Sequence, residues 1–109
     1  MHELGIAMEI AELATYRAAG AKITRVVVEV GTLTAVLPDA LAFAWDAATE
    51  DSDLAGCSLE IIQMPGRGRC RACAAEQEMT MVFGRCSCGQ TDIELIAGEE
   101  LRIREMEVT

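Results

Sequence analysis

Residues 66–89 read GRGRCRACAAEQEMTMVFGRCSCG, and the spacing of the cysteines decides how this part of the chain folds. Two residues separate Cys70 from Cys73, and Cys86 and Cys88 follow after a further twelve. Two close cysteine pairs at this separation are typical of a zinc ribbon, in which each pair occupies a tight turn and a hairpin brings four thiolates into one tetrahedron. We therefore predict a structural Zn(II) bound by these four cysteines. Free thiols or a redox-active disulfide are the alternative.

The segment around the cysteines has little else to hold it together. Its apolar side chains, chiefly Met79, Met81, Val82 and Phe83, are too few to form a core of their own. Zinc contributes on the order of 10 kcal/mol to the folding of small zinc modules. We therefore predict that residues 65–98 form a separate zinc-binding domain. The fifth cysteine, Cys57, begins an apolar stretch and is expected to be a buried thiol, with a substitute zinc ligand as the lesser alternative.

Residues 1–64 and 99–109 predict a second domain that contains both helices and strands. Apolar spacing predicts a helix over 4–19 that Gly20 ends, and Pro38 opens a second helix that fades near Glu50. Branched and alternating side chains predict strands over 23–30, 58–64 and 100–108. The expected fold class is α/β (α+β), with a small mixed three-stranded sheet, two helices and an inserted zinc-ribbon-like lobe.

The last predicted strand changes the phase of its apolar side chains. Leu101 and Ile103 would point to one face of the strand, whereas Met106 and Val108 would point to the other. One extra residue near positions 104–105 would produce this slip, which predicts a β-bulge there. An ordinary strand with two apolar faces is the alternative.

The first predicted strand also has two different faces. Val26, Val28 and Val30 point one way, and Arg25 and Glu29 point the other. Because charged side chains are seldom buried, the face with Arg25 and Glu29 is expected to be half solvated.

Composition excludes several classes of function. The chain has 109 residues, with 9 basic residues against 18 acidic ones and a net charge of −9, and it contains one Trp, one Tyr and two Phe. This charge repels nucleic acid and anionic lipid, so neither is expected as a partner. No apolar run approaches the ~20 residues of a membrane-spanning helix. Acidic residues near the N-terminus argue against a signal peptide, so a cytoplasmic protein is predicted.

The N-terminus offers a second candidate metal site. His2, the only histidine, directly follows Met1. The α-amine, the His2 backbone nitrogen and the imidazole can form fused chelate rings around one metal, and nitrogen ligands in a plane suit Ni(II) or Cu(II). Spacing alone leaves a disordered start of the chain as the alternative.

Several motifs together point to a known family. The chain resembles the hydrogenase maturation nickel metallochaperones, the HypA/HybF family, over essentially its whole length. The resemblance rests on the paired-cysteine insertion and on five further landmarks, which are Met1-His2-Glu3-Leu4, Val28-Glu-Val-Gly31, Leu37-Pro-Asp-Ala-Leu41, Gly66-Arg-Gly-Arg-Cys70 and Gly98-Glu-Glu-Leu-Arg-Ile. The second cysteine pair departs from the family, because the chain has Cys86-Ser87-Cys88-Gly89 where Cys-Pro-x-Cys-Gly is usual.

The resemblance implies a function for both metal sites. His2 would be the essential nickel ligand, helped by the Met1 amine and by Glu3 through its backbone or carboxylate. The zinc ligands would be Cys70, Cys73, Cys86 and Cys88. Ni(II) would be a transient cargo delivered to maturing [NiFe]-hydrogenase, with a nickel-insertion GTPase and the hydrogenase large-subunit precursor as partners.

Two competing functions are disfavoured by the residues themselves. A zinc-ribbon module that binds nucleic acid or takes part in transcription would use the arginines beside the cysteines, namely Arg67, Arg69, Arg71 and Arg85, but the net charge opposes it. Catalysis by zinc needs an open coordination position, whereas four cysteines would close the site. The chain is therefore not expected to be an enzyme.

Overall fold

The computed structural model describes residues 2–109 and contains two helices and two three-stranded sheets. In chain order the elements are α1 (Glu3–Ala18), β1 (Ile23–Gly31), α2 (Pro38–Thr49), β2 (Ser58–Met64), β3 (Gly66–Cys70), β4 (Glu76–Met79), β5 (Ile93–Ala97) and β6 (Leu101–Val108). The strand orders are β2-β1-β6 and β4-β3-β5. The predicted fold class is confirmed. We call the helices with the first sheet the body, and residues 65–98, which hold the second sheet, the cysteine lobe.

The sheet of the body is mixed. β1 pairs in parallel with β2 and antiparallel with β6. Two consecutive parallel strands need a crossover connection, and α2 provides it. Both helices pack on the sheet face that carries Val26, Val28 and Val30, where they form the hydrophobic core. At its centre the indole N–H of Trp45 donates a hydrogen bond of 2.9 Å to the Cys57 carbonyl oxygen.

The predicted irregularity in the last strand is a β-bulge. Val28 lies opposite Ile103, but its neighbour Val27 lies opposite Glu105, so Arg104 is the extra residue. The bulge returns Met106 to the core side of the sheet after the phase slip, and Met106 packs against the core together with Ile103.

The opposite face of the sheet is more buried than expected. Glu29 is buried because the Arg102 guanidinium donates a hydrogen bond of 2.6 Å to its carboxylate. Arg25 forms ion pairs with Glu60 and Glu107 across the two neighbouring strands. The expectation of a half-solvated face was therefore wrong at Glu29, since paired charges cover this face in place of a helix.

The first helix ends one residue earlier than predicted. α1 stops at Ala18, and Ala19 adopts the left-handed conformation with φ 49°, followed by Gly20 with φ 93°. The left-handed region begins at an alanine, although glycine is the usual residue there. Across the part of the chain that the structure describes, no helix is long and apolar enough to cross a membrane.

The cysteine lobe has a sheet whose inner face carries few apolar side chains. Gly66, Gly68 and Cys70 point inward along β3, and Met79 on β4 is buried beside them. The three apolar residues 81–83 are exposed and contribute no core. The lobe therefore has even less apolar packing than its composition suggests.

Backbone contacts join the lobe to the body where β1 ends. The Gly31 N–H donates to the Glu100 carbonyl at 2.7 Å, and the Leu33 N–H donates to the Gly98 carbonyl at 2.8 Å. The Gly66 N–H donates to the Thr32 hydroxyl at 3.2 Å. A Cβ atom at Gly31 would overlap the Gly98 carbonyl group, so this junction requires glycine.

Replacing Gly31 by alanine should therefore destabilise the protein by about 3 kcal/mol or more, because backbone atoms cannot move aside as a flexible side chain can. Gly5 is the matched control, since a Cβ there meets nothing within 4 Å. Gly5→Ala should instead stabilise α1 by about 0.5–1 kcal/mol. Denaturant titration followed by circular dichroism measures both changes. Equal stabilities of the two variants would contradict the close packing at Gly31.

Candidate metal centres

The four predicted cysteines converge at one end of the cysteine lobe. Their Sγ atoms all lie within 4.8 Å of one another, with Cys70 and Cys88 3.7 Å apart and Cys73 and Cys86 3.5 Å apart. Four sulfur atoms at ~2.3 Å from a tetrahedral Zn(II) would be about 3.8 Å apart. The donors and their spacing therefore fit a tetrahedral thiolate metal such as zinc.

Each cysteine pair sits in a tight turn closed by backbone hydrogen bonds. In the first turn the Cys70 N–H donates to the Ala75 carbonyl, and the Ala74 N–H donates to the Cys70 carbonyl. In the second, the Cys86 N–H donates to the Gln90 carbonyl and the Gly89 N–H donates to the Cys86 carbonyl. A left-handed residue follows each pair, Ala74 with φ 65° and Gly89 with φ 95°. The shortened second pair thus still aims both thiols at the cluster.

Hydrogen bonding within the cluster shifts the pKa values of Cys73 and Cys86 in opposite directions. A hydrogen bond from the Cys88 backbone N–H, together with the Cys73 side chain, lowers the pKa of Cys86 to about 7. A backbone N–H at Ala75 lowers the pKa of Cys73, but the Cys86 side chain and burial outweigh this effect and raise it to about 11. Of these two thiols Cys86 loses its proton more readily, and metal binding must displace the proton from Cys73.

Other polar groups near the cluster are already engaged. Arg67 and Arg69 both pair with Glu76, and Arg71 pairs with Asp92 at 3.2 Å. These pairs leave the lobe without the concentrated positive charge that nucleic-acid binding requires. Cys57 does not join the cluster. It packs in the body core, where burial raises the pKa of its thiol.

The N-terminal candidate site lies at the start of α1. His2 is exposed and precedes the helix as its N-cap residue, and its side chain makes no capping hydrogen bond. The Glu3 carboxylate accepts a hydrogen bond of 3.2 Å from the Leu37 N–H, which lowers the pKa of Glu3. Met1, the third predicted nickel ligand, lies outside the described residues.

The contact between Glu3 and Leu37 places the starts of both helices side by side. Leu37 is the N-cap residue of α2, and Asp39 lies in the first turn of that helix. No sequence pattern indicates this contact, because the donor is a backbone N–H 34 positions away and carries no side-chain signature. Within residues 2–109, the four cysteines are the one group of three or more His, Cys, Asp or Glu residues close enough to share an ion. The structure therefore brings the four cysteines together, whereas His2 and Glu3 belong to no such group within the described residues.

This combination of a small mixed α/β body and an inserted four-cysteine lobe defines a class of two-lobed metal-binding proteins. The profile of the family described as "Hydrogenase/urease nickel incorporation, metallochaperone, hypA" matches residues 1–108. The chain belongs to this family.

Similar proteins agree with the family assignment. The chain is 46% identical over 108 residues to the hydrogenase maturation factor HypA of Nostoc punctiforme, covering 99% of this chain and 96% of that protein. It is 39% identical over 109 residues to HypA of Geotalea uraniireducens, covering 99% of each chain. The solution structure of the Ni metallochaperone HypA from Helicobacter pylori superposes with a TM-score of 0.71 at 24% identity, covering 99% of this chain and 97% of that one. The likeness to this structure supports the fold.

Proposed function

We propose that the chain binds Ni(II) at its N-terminus and delivers it during the maturation of [NiFe]-hydrogenase. The observation that carries the proposal is the exposed His2 at the very start of α1, with Glu3 fixed beside it by the Leu37 N–H. The Met1 amine, the His2 backbone nitrogen and the His2 imidazole supply nitrogen donors of the kind that Ni(II) prefers. Glu3 completes the ligand set through its backbone or its carboxylate.

The surroundings of His2 suit a metal that must be released. The N-terminal ends of two helices carry partial positive charge, which weakens cation binding at the point where α1 and α2 begin. The carboxylates of Glu3 and Asp39 oppose this effect at the same two helix ends. An open site with few side-chain ligands therefore holds nickel without enclosing it, as a carrier requires.

We assign Zn(II) to the four cysteines as a structural ion. The sulfur spacing supports this assignment, and four thiolates leave no open coordination position for a substrate. The chain then acts without catalytic chemistry of its own. Thiolates stay available for metal in a reducing compartment, so we propose that the protein works in the cytoplasm.

Delivery requires protein partners, and we propose the nickel-insertion GTPase of the hydrogenase maturation system and the hydrogenase large-subunit precursor. Nickel would pass within a complex, with donor ligands exchanged while the metal remains partly coordinated. The family description, which names nickel incorporation, supports this route.

A complementation experiment tests the proposed function. In cells lacking the chain and grown in low nickel, the native sequence should restore hydrogenase activity and the His2→Ala variant should not. Excess nickel in the medium should restore hydrogenase activity in cells that contain neither the native chain nor the variant, because a carrier becomes dispensable when its cargo is abundant. Full complementation by His2→Ala in low nickel would contradict N-terminal delivery.

A further inference from the structure

Four large apolar side chains are exposed along the first halves of the two helices. Leu4 and Met8 on α1 are 50% and 56% exposed. Leu37, the N-cap residue of α2, is 64% exposed, and Phe43, in the middle of that helix, is 80% exposed. Single exposed apolar residues are common, but a group beside a candidate metal site is not explained by the fold. We call these four residues the N-terminal patch.

The geometry of the helices places the patch on one surface. Leu4 and Met8 are one helical turn apart and lie on the same side of α1. The core contacts of α2 are made by Leu41, Ala44 and Trp45, so Phe43 points away from the core. The contact between Glu3 and Leu37 holds the two helix beginnings together. The patch therefore lies on the outer side of the helix layer, and its end at Leu4 and Leu37 is close to His2 and Glu3.

The charged side chains near the patch are acidic. Residues 3–16 and 26–66 contain no Lys or Arg. Glu9 and Glu12 on α1 and Asp39 and Asp46 on α2 are carboxylates of these same two helices. In the cysteine lobe four arginines balance four acidic residues, so the whole formal charge of −9 belongs to the body. The patch is thus an apolar surface with an acidic border.

We propose that the N-terminal patch is a docking surface for a protein whose complementary surface presents apolar side chains ringed by Lys and Arg. Opposite charges at the rim of such an interface guide association, and apolar side chains at its centre carry most of the affinity. The position of the patch beside His2 lets the bound partner cover the nickel site during transfer, a role that rests on the proposed function.

The same charges argue against a second copy of this chain as the occupant. A symmetric dimer places the same patch on both sides of the interface. The acidic borders of the two copies would then face each other, and like charges across an interface oppose binding. The occupant is therefore a different, basic protein.

Binding measurements with two purified proteins test this proposal, namely the nickel-insertion GTPase and the hydrogenase large-subunit precursor from the same organism. Phe43→Ala should weaken binding to at least one of them by about tenfold or more, as truncation of a central apolar anchor does. Phe83→Ala is the matched control, because Phe83 is 69% exposed but lies in the cysteine lobe. It should change the affinity by less than about twofold.

A charge reversal tests the acidic border separately. Asp46→Lys should weaken the same complex and reduce its sensitivity to salt, whereas Glu78→Lys in the cysteine lobe should do neither. Thermal unfolding of each variant checks that it remains folded, which is expected since all these side chains are exposed.

Three results would overturn the proposal. The first is that Phe43→Ala and the native chain bind both proteins with equal affinity. The second is that neither protein binds the native chain. The third is that the native chain forms a homodimer in analytical ultracentrifugation and that Phe43→Ala dissociates it. Nickel titration of Phe43→Ala separates this proposal from the proposed function. Intact nickel binding with lost docking supports the patch, whereas absent nickel binding in the native chain would refute only the nickel-carrier role.

Discussion

Replacing His2 by alanine should lower the nickel affinity of the untagged, zinc-loaded chain by more than about a hundredfold, because the loss of a direct ligand costs more than the loss of a residue that only orients one. Calorimetric titration with Ni(II) measures the change. Zinc content should stay constant, since the four cysteines form their own cluster. Unchanged nickel affinity in His2→Ala would move the site to carboxylates or cysteines.

Acetylation of the α-amine is the companion experiment. It should weaken nickel binding nearly as much as His2→Ala, because an amide nitrogen no longer offers the lone pair of an amine. Glu3→Gln keeps an oxygen that can accept the Leu37 N–H but removes the charge, whereas Glu3→Ala removes both. A large effect of Glu3→Gln would identify the carboxylate as a ligand, and an effect confined to Glu3→Ala would identify a positioning role.

Loss of zinc should unfold the cysteine lobe and leave the body folded. We propose residues 65–98 as the domain that depends on the metal, because Met79 is its one buried apolar side chain besides the cysteines. Removing a structural ion from such a module costs on the order of 10 kcal/mol of folding free energy. Cys73→Ser should therefore release zinc and increase hydrogen exchange across the lobe, while exchange in β1 and both helices changes little.

Cys57→Ser is the control for this experiment, since Cys57 packs in the core of the body and lies outside the cluster. It should retain one zinc per chain even if the body loses some stability. Stoichiometric zinc in Cys73→Ser would refute the assigned ligands. Equal protection across the whole chain after zinc removal would refute the separate domain.

The sequence predicted those parts of the fold that leave a periodic or chemical signature. Four cysteines in two close pairs predict a common cluster, because few other arrangements use that spacing. The switch of face between Ile103 and Met106 predicted a bulge near positions 104–105, since side chains alternate strictly along a strand. The structure has this bulge at Arg104. Branched residues likewise predicted β1 and β2 almost to the residue.

Contacts between distant positions were not predictable in this way. Glu29 is buried through Arg102, which is 73 positions further along the chain, so local alternation placed it in solvent. β5 has the burial pattern of a half-covered strand, but its sequence is short and follows a turn-rich stretch without a clear signal. The hydrogen bond from Leu37 to Glu3 depends on how α1 meets α2, which no local pattern encodes.

The fluorescence of Trp45 reports on the body separately from the cysteine lobe. It is the only tryptophan, and its indole is held in the body core by the hydrogen bond to the Cys57 carbonyl. Tyr16 also lies in the body, and residues 65–98 contain neither residue type. Ultraviolet-excited emission therefore reports the body alone. In a chelator titration the emission would stay constant while the cysteine lobe unfolds. A later change in emission would show that unfolding has spread to the body through the junction at Gly31 and Gly98.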